Sequence, residues 1–174
     1  MLKNINSLFV TLILLSLTAC LGMPDSVKPV QGFDKQRYLG KWYEIARLDN
    51  RFEKGLEQVT AEYSLRNDGA IRVLNRGYSA DKSEWKEADG KAIFVNDETE
   101  GYLKVSFFGP FYSSYVVFEL DTEYQYSFIS GADYSYLWLL SRTPEVNPEL
   151  LETFKQKASK LGFKLDELVI VNQQ

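Results

Sequence analysis

The pattern of apolar and polar positions changes character along the chain. Residues 8–17, Leu-Phe-Val-Thr-Leu-Ile-Leu-Leu-Ser-Leu, are a short apolar run behind Lys3. From Gly40 to Arg142 short alternating runs are separated by turn residues every ~8–12 positions, the spacing of strands. They predict eight strands: Trp42–Asp49, Gln58–Arg66, Ala70–Tyr78, Trp85–Val95, Tyr102–Phe108, Tyr115–Leu120, Tyr124–Ser130 and Tyr134–Arg142. Asn67-Asp68-Gly69 is the sharpest hairpin signal, since these residues accept the positive φ of a tight turn. The polar stretch Asn50–Glu57 suits a connection with room for a helical turn. Past Pro144 the period becomes helical. Asn147 can cap, Pro148 fits the first position, and Leu150, Leu151, Phe154, Ala158 and Leu161 make one apolar stripe before Gly162. A final strand is predicted over Leu168–Val171.

Eight sequential strands with short links predict an all-β fold, an antiparallel up-and-down barrel (calyx) with the helix packed outside. Closure removes exposed edges, and eight strands leave an interior wide enough for one small ligand. A sandwich would need a long crossover connection, and none occurs among the eight runs. In such a barrel the start of the first strand, the corner between the sixth and seventh, and the end of the eighth lie at one end. Those places hold Gly40-Lys41-Trp42, Asp121-Thr122-Glu123-Tyr124 and Ser141-Arg142-Thr143-Pro144. Arg142 is expected to lie across the Trp42 indole and close that end. The other end is then the mouth, where Phe107, Phe108 and Tyr115 flank Gly109-Pro110-Phe111-Tyr112 as an aromatic collar.

The N-terminus reads as an export and anchoring signal over residues 1–19: one positive charge, a short apolar core and small residues before Cys20. The apolar run is too short for the ~20 residues that span a bilayer. Leu17-Thr18-Ala19-Cys20 resembles a bacterial lipobox, which implies lipid attachment at Cys20. Leu21, rather than an acidic residue, follows the cysteine, and by the same resemblance favours the outer membrane. Residues 20–32, with two prolines and two glycines, read as a flexible tether, and the domain as 33–174.

Composition narrows the chemistry. There is no histidine and one cysteine, which excludes histidine-dependent triads, histidine-ligated metal and an internal disulfide. The net charge is −4, and no basic block points to nucleic acid. Neither a metal nor a cofactor is implied. Aromatic residues make up 14% of the chain, which suits cross-strand pairing and a ring-lined cavity. Alternation suggests Tyr63, Phe107, Tyr115, Tyr126, Phe128, Tyr136 and Trp138 as wall residues, although a one-residue slip would turn any of these strands inside out. Arg47, at the mouth end of the first strand, is a candidate to hold a phosphate or carboxylate.

Gly40, Trp42, Asp121, Tyr124 and Arg142 together resemble the three short conserved regions of the lipocalins. The runs Arg37–Arg47, Lys104–Phe111 and Tyr136–Pro144 look like its bacterial, outer-membrane lipoprotein branch, which is similar to apolipoprotein D and Lazarillo. The corner departs slightly, with Asp121-Thr122-Glu123-Tyr124 where the family often has Thr-Asp-Tyr. The resemblance implies binding of fatty acids or lysophospholipids, for storage or transport in envelope stress or maintenance, with the domain facing the periplasm. It implies no enzymatic activity and leaves a homodimer open. Two alternatives stand beside it: a structural lipoprotein with a filled barrel, and a lipid-modifying enzyme using Glu44, Glu62 or Glu119.

Overall fold

Each alternating run folds as a strand and pairs with its neighbour in sequence. The computed structural model describes residues 22–174; Cys20 and residues 1–19 lie outside the described residues. The strands are β1 (Gly40–Leu48), β2 (Leu56–Leu65), β3 (Ile71–Ser79), β4 (Glu84–Phe94), β5 (Tyr102–Phe108), β6 (Phe111–Leu120), β7 (Tyr126–Ser130), β8 (Leu137–Ser141) and β9 (Leu168–Ile170). Two α-helices, α1 (Lys35–Tyr38) and α2 (Pro148–Lys160), and a short 3-10 turn over Ala80–Lys82 join them. Successive strands from β2 to β8 pair antiparallel, β8 pairs β1, and β1 pairs β2, so the ring closes. β1 serves three partners along its length: Gly40–Tyr43 pair with β2, Tyr43–Arg47 with β8, and Ala46–Leu48 with β9.

Alternation gives the barrel two hydrophobic cores. Inside, Trp42, Ala61, Tyr63, Ile71, Val73, Leu103, Val117, Ile129 and Leu140 share one cluster. Outside, Phe154 and Ala158 of α2 pack on Ile45, Val116, Phe128, Leu137 and Leu139. The Phe128 and Phe154 rings meet edge to face at 5.0 Å. As its sequence predicts, α2 starts on an Asn147 side chain that accepts from the Glu149 amide, with Pro148 at the first position.

Several expectations are corrected. Residues 22–32 are not a free tether: the Val30 amide donates to the Val117 carbonyl, Val27 is buried, and Ser26 meets Tyr134 and Leu161. Apolar Val27 and Val30 gain more by burial than two prolines and two glycines gain by freedom. β6 begins at Phe111, which shortens the β5–β6 connection to Gly109-Pro110, joined by a cis peptide bond. The β1–β2 connection forms turns instead of a helix. α1 escapes the periodicity because it is one turn long, held by Asp34, whose carboxylate accepts from the Gln36 and Arg37 amides.

The closed end is held by Arg142. Its guanidinium lies 3.9 Å from the Trp42 ring centroid and donates to the carbonyls of Arg37, Lys41 and Tyr124. Gly40 supplies the backbone turn here: its φ is +95°, a conformation that favours glycine. Trp42 donates its indole N–H to the Tyr38 carbonyl at 2.8 Å. At the corner, Asp121 accepts from the amides of Glu123 and Gln125, and the Tyr124 hydroxyl accepts from the Asp34 amide. Arg142→Met should therefore lower unfolding free energy by about 2–4 kcal/mol, through loss of charged hydrogen bonds and the ring contact. Urea denaturation of the domain measures it, and a loss under ~0.5 kcal/mol, the scale of an ordinary surface change, would contradict the role.

Candidate functional site: the barrel interior and its mouth

Register decides which side chains line the interior. Directly opposed residues share a face, so pairing of Arg47 with Trp138, Trp138 with Ile129, and Glu44 with Leu140 puts all of these inward. Of the residues predicted as wall, Tyr63, Phe107, Tyr115 and Trp138 belong to the interior cluster. Tyr136 stacks on Trp138 at 6.0 Å, at the mouth end of β8. Tyr126 and Phe128 do not line the interior: they belong to the outer cluster beneath α2, and Ser127 and Ile129 face inward instead. β7 is buried on both faces, so its alternation could not say which face is the inner one; Ser127 turns inward because the Tyr38 hydroxyl partners it at 3.3 Å.

The closed half of the interior is filled with rings. Tyr115 shares hydrogen bonds with Tyr38 at 2.6 Å and Tyr63 at 2.9 Å. Burial pushes the Tyr38 phenol up to about 12 and raises Tyr63 and Tyr115 well above the usual phenol value, so all three remain neutral donors. Phe107 leans over Gly90, where an added Cβ would stand 2.7 Å from the ring.

Nearer the mouth lies a polar group that alternation alone misses. Arg47, only 1% exposed, is neither at the rim nor solvated. It donates to the Glu44 carboxylate at 2.7 Å and to the carbonyls of Glu53, in the β1–β2 connection, and Leu56, at the start of β2. Glu53 accepts from the Trp138 indole N–H at 3.0 Å and from Asn50 at 2.6 Å. The connection is thus tied down onto the interior by one guanidinium and one indole. Among the described residues three buried side-chain polar atoms lack a hydrogen-bond partner: Arg47 Nε in this group, and Asn75 Oδ1 and Ser106 Oγ on other strands. Glu53 and Asn75 were not read from the sequence, because a loop carries no period and a single strand carries no pairing.

Burial, then the neighbouring Glu53 charge, raise the Glu44 carboxyl well above its ordinary value; the Arg47 pair pulls the other way and is outweighed. Of the other carboxylates weighed for catalysis, Glu62 is exposed and Glu119 pairs with Lys157 of α2 at 2.6 Å. Two surface clefts, of about 250 and 360 Å³, lie beside the C-terminal tail and by the β2–β3 hairpin. None of the predicted wall residues lines either one.

A lipocalin-like domain model matches residues 33–173. The chain belongs to the lipocalin family. It is 62% identical to a Vibrio cholerae protein named outer membrane lipoprotein Blc, over 97% of this chain and 99% of that one. An Escherichia coli protein of the same name is 49% identical over 86% and 85% of the two chains. Bovine apolipoprotein D is 31% identical over 83% and 80%. Insecticyanin from the tobacco hornworm superposes with a TM-score of 0.69 at 20% identity, over 87% of this lipocalin and 86% of that structure, which establishes the shared fold.

Because the folded lipocalin holds the Glu44 proton more tightly than the unfolded chain, this group stabilises the fold fully below the ordinary glutamate value of about 4.5. That contribution is lost as pH rises through the higher folded value. Glu44→Gln removes the titration. Its stability relative to the unaltered protein should rise steadily from pH 5 to pH 8 in urea denaturation; a constant or falling difference would contradict the assignment.

Proposed function

We propose that this lipocalin takes single-chain lipids, fatty acids or lysophospholipids, into its barrel from the open end while anchored at the outer membrane. The observation that carries the reading is the division of the interior: aromatic walls from Phe107, Tyr136 and Trp138, beside a linked polar set of Arg47, Glu44 and Glu53 in which Arg47 Nε is unpartnered. An acyl chain would bind through burial, at ~0.8 kcal/mol per CH₂. The polar set would orient a carboxylate or phosphate, with Arg47 Nε as the free donor. Tyr63 and Tyr115 would bound the tail from below. The outer-membrane placement follows the relatives named outer membrane lipoprotein Blc, with attachment through Cys20 and the domain facing the periplasm. Storage, carriage or scavenging in envelope stress or maintenance would fit such a protein. Lipocalins are typically binding proteins, which agrees with the absence of histidine.

A second reading, a structural lipoprotein with a filled barrel, is favoured by one observation. The tyrosines and Phe107 occupy much of the interior.

Titration with a fluorescent fatty acid or lysophospholipid separates the two. Saturable binding at one site per chain is expected. Trp138→Ala should weaken it by about tenfold, the value of ~1.4 kcal/mol. Tyr126→Leu, on the outer face, should leave it unchanged. No saturable binding by the folded protein would favour the filled barrel.

A further inference from the structure

The wall of the barrel breaks between its first two strands. The β1–β2 ladder ends at the pair Tyr43–Thr60, and the next pair in that register would be Glu44 with Val59. β1 turns instead to β9 from Ala46 onward. β2 is irregular here, its pairing with β3 shifting between Glu57 and Thr60 and Gln58 standing at φ +50°. Residues 171–174 enter the break. The Val171 amide donates to the Ile45 carbonyl at 3.0 Å and the Gln58 amide to the Asn172 carbonyl at 2.7 Å, so the segment is bonded to both strands. Between them the Gln173 side chain takes the place of the missing pair: its Nε2 donates to the Glu44 carbonyl at 2.7 Å and the Val59 carbonyl at 2.9 Å.

On the inner side of the same position stands the Glu44 carboxyl, 3% exposed. Arg47 on β1 donates to it at 2.7 Å, and the Glu53 carboxylate of the β1–β2 connection and the Tyr63 phenol of β2 are its other titratable neighbours. β8 and residues 171–174 face it with the uncharged Leu140 and Gln173. Burial is the main cause that raises Glu44 above its ordinary value, and water admitted through the seam would undo it. A neutral Glu44 leaves the Arg47 charge uncompensated by its nearest carboxyl, whereas an ionised one offsets it. The state of the seam therefore sets how much charge Arg47 can offer a ligand.

We propose that Gln173 is a positioning residue for the binding site: by bridging Glu44 and Val59 it closes the β1–β2 seam, keeps the Glu44 side chain out of water, and leaves the Arg47 guanidinium to an anionic headgroup. The proposal rests on the reading of Arg47 as the headgroup donor. Gln173 touches no ligand in this role and acts through Glu44. Without its amide, two carbonyls at the seam lose their donor, and a buried acceptor left unpaired draws in water.

The test titrates the full-length chain with a fluorescent lysophosphatidylglycerol, whose phosphodiester stays singly charged from pH 5 to pH 8, and with an uncharged monoacylglycerol bearing the same chain. Affinity for the anionic lipid is expected to fall as pH rises and Glu44 ionises. In Gln173→Ala that fall should set in at roughly tenfold higher proton concentration. Monoacylglycerol affinity should follow neither pH nor this change, and Glu44→Gln should abolish the pH dependence with or without Gln173→Ala. A second measurement needs no lipid: the stability gained by Glu44→Gln with rising pH in urea denaturation should be smaller, and level off at lower pH, when Gln173→Ala is present. If Gln173→Ala does not fold, Gln173→Asn, one methylene too short to reach both carbonyls, is read in the same way. An equal loss of both lipids at every pH, with the transition unmoved, would make Gln173 merely structural and overturn the proposal. Absence of binding by either lipid would overturn the headgroup role together with the proposed ligand, whereas an unmoved stability profile would count against the seam alone.

Discussion

A barrel built from sequential hairpins has no internal reason to hold its first and last strands at a fixed closed end, and Arg142 supplies one. A single guanidinium lies on the Trp42 ring and donates to carbonyls of three segments: the exit of α1, the start of β1, and the β6–β7 corner. Five fixed donors in one plane suit this task as a lysine ammonium would not. The indole beneath is oriented in turn by the Tyr38 carbonyl. With one end so closed, the proposed entry of ligand falls to the other.

The barrel wall is also a partition between two cores. The inner face carries the tyrosines, Trp138 and the polar set, while the outer face meets α2 and the docked segment 22–32. A strand buried on both sides cannot be polar on either, so β7 and β8 are apolar or small throughout. The five-residue β7, Tyr-Ser-Phe-Ile-Ser, places its two aromatic rings outward and Ser127 and Ile129 inward. Packing against Phe154 outweighs the preference of an aromatic-lined calyx for those rings.

The interior ion group has a similar logic. Arg47 is desolvated and lies within 2.7 Å of a carboxylate whose own charge is disfavoured by burial and by Glu53. Such a pair adds little net stability over an apolar one. What it does add is position: the same guanidinium holds the backbone of the β1–β2 connection, and Trp138 holds the side chain of Glu53. The connection above the interior is thus fixed by contacts a ligand headgroup could share or displace.

The single chain already carries the number and order of strands, the terminal helix with its Asn147 cap, and the Trp42–Arg142 closure. Each of these follows from period 2, period 3.6 or strand parity, which a single chain records. It also named Tyr63, Phe107, Tyr115 and Trp138 as inward residues. Packing in three dimensions is what puts Tyr126 and Phe128 under α2, docks residues 22–32 on the barrel, and seals Arg47 inside with Glu44 and Glu53. Those outcomes depend on register, on bulges such as that between Val117 and Glu119, and on partners far away in sequence. A strand's alternation offers two faces that are equally regular, and only its neighbours choose between them.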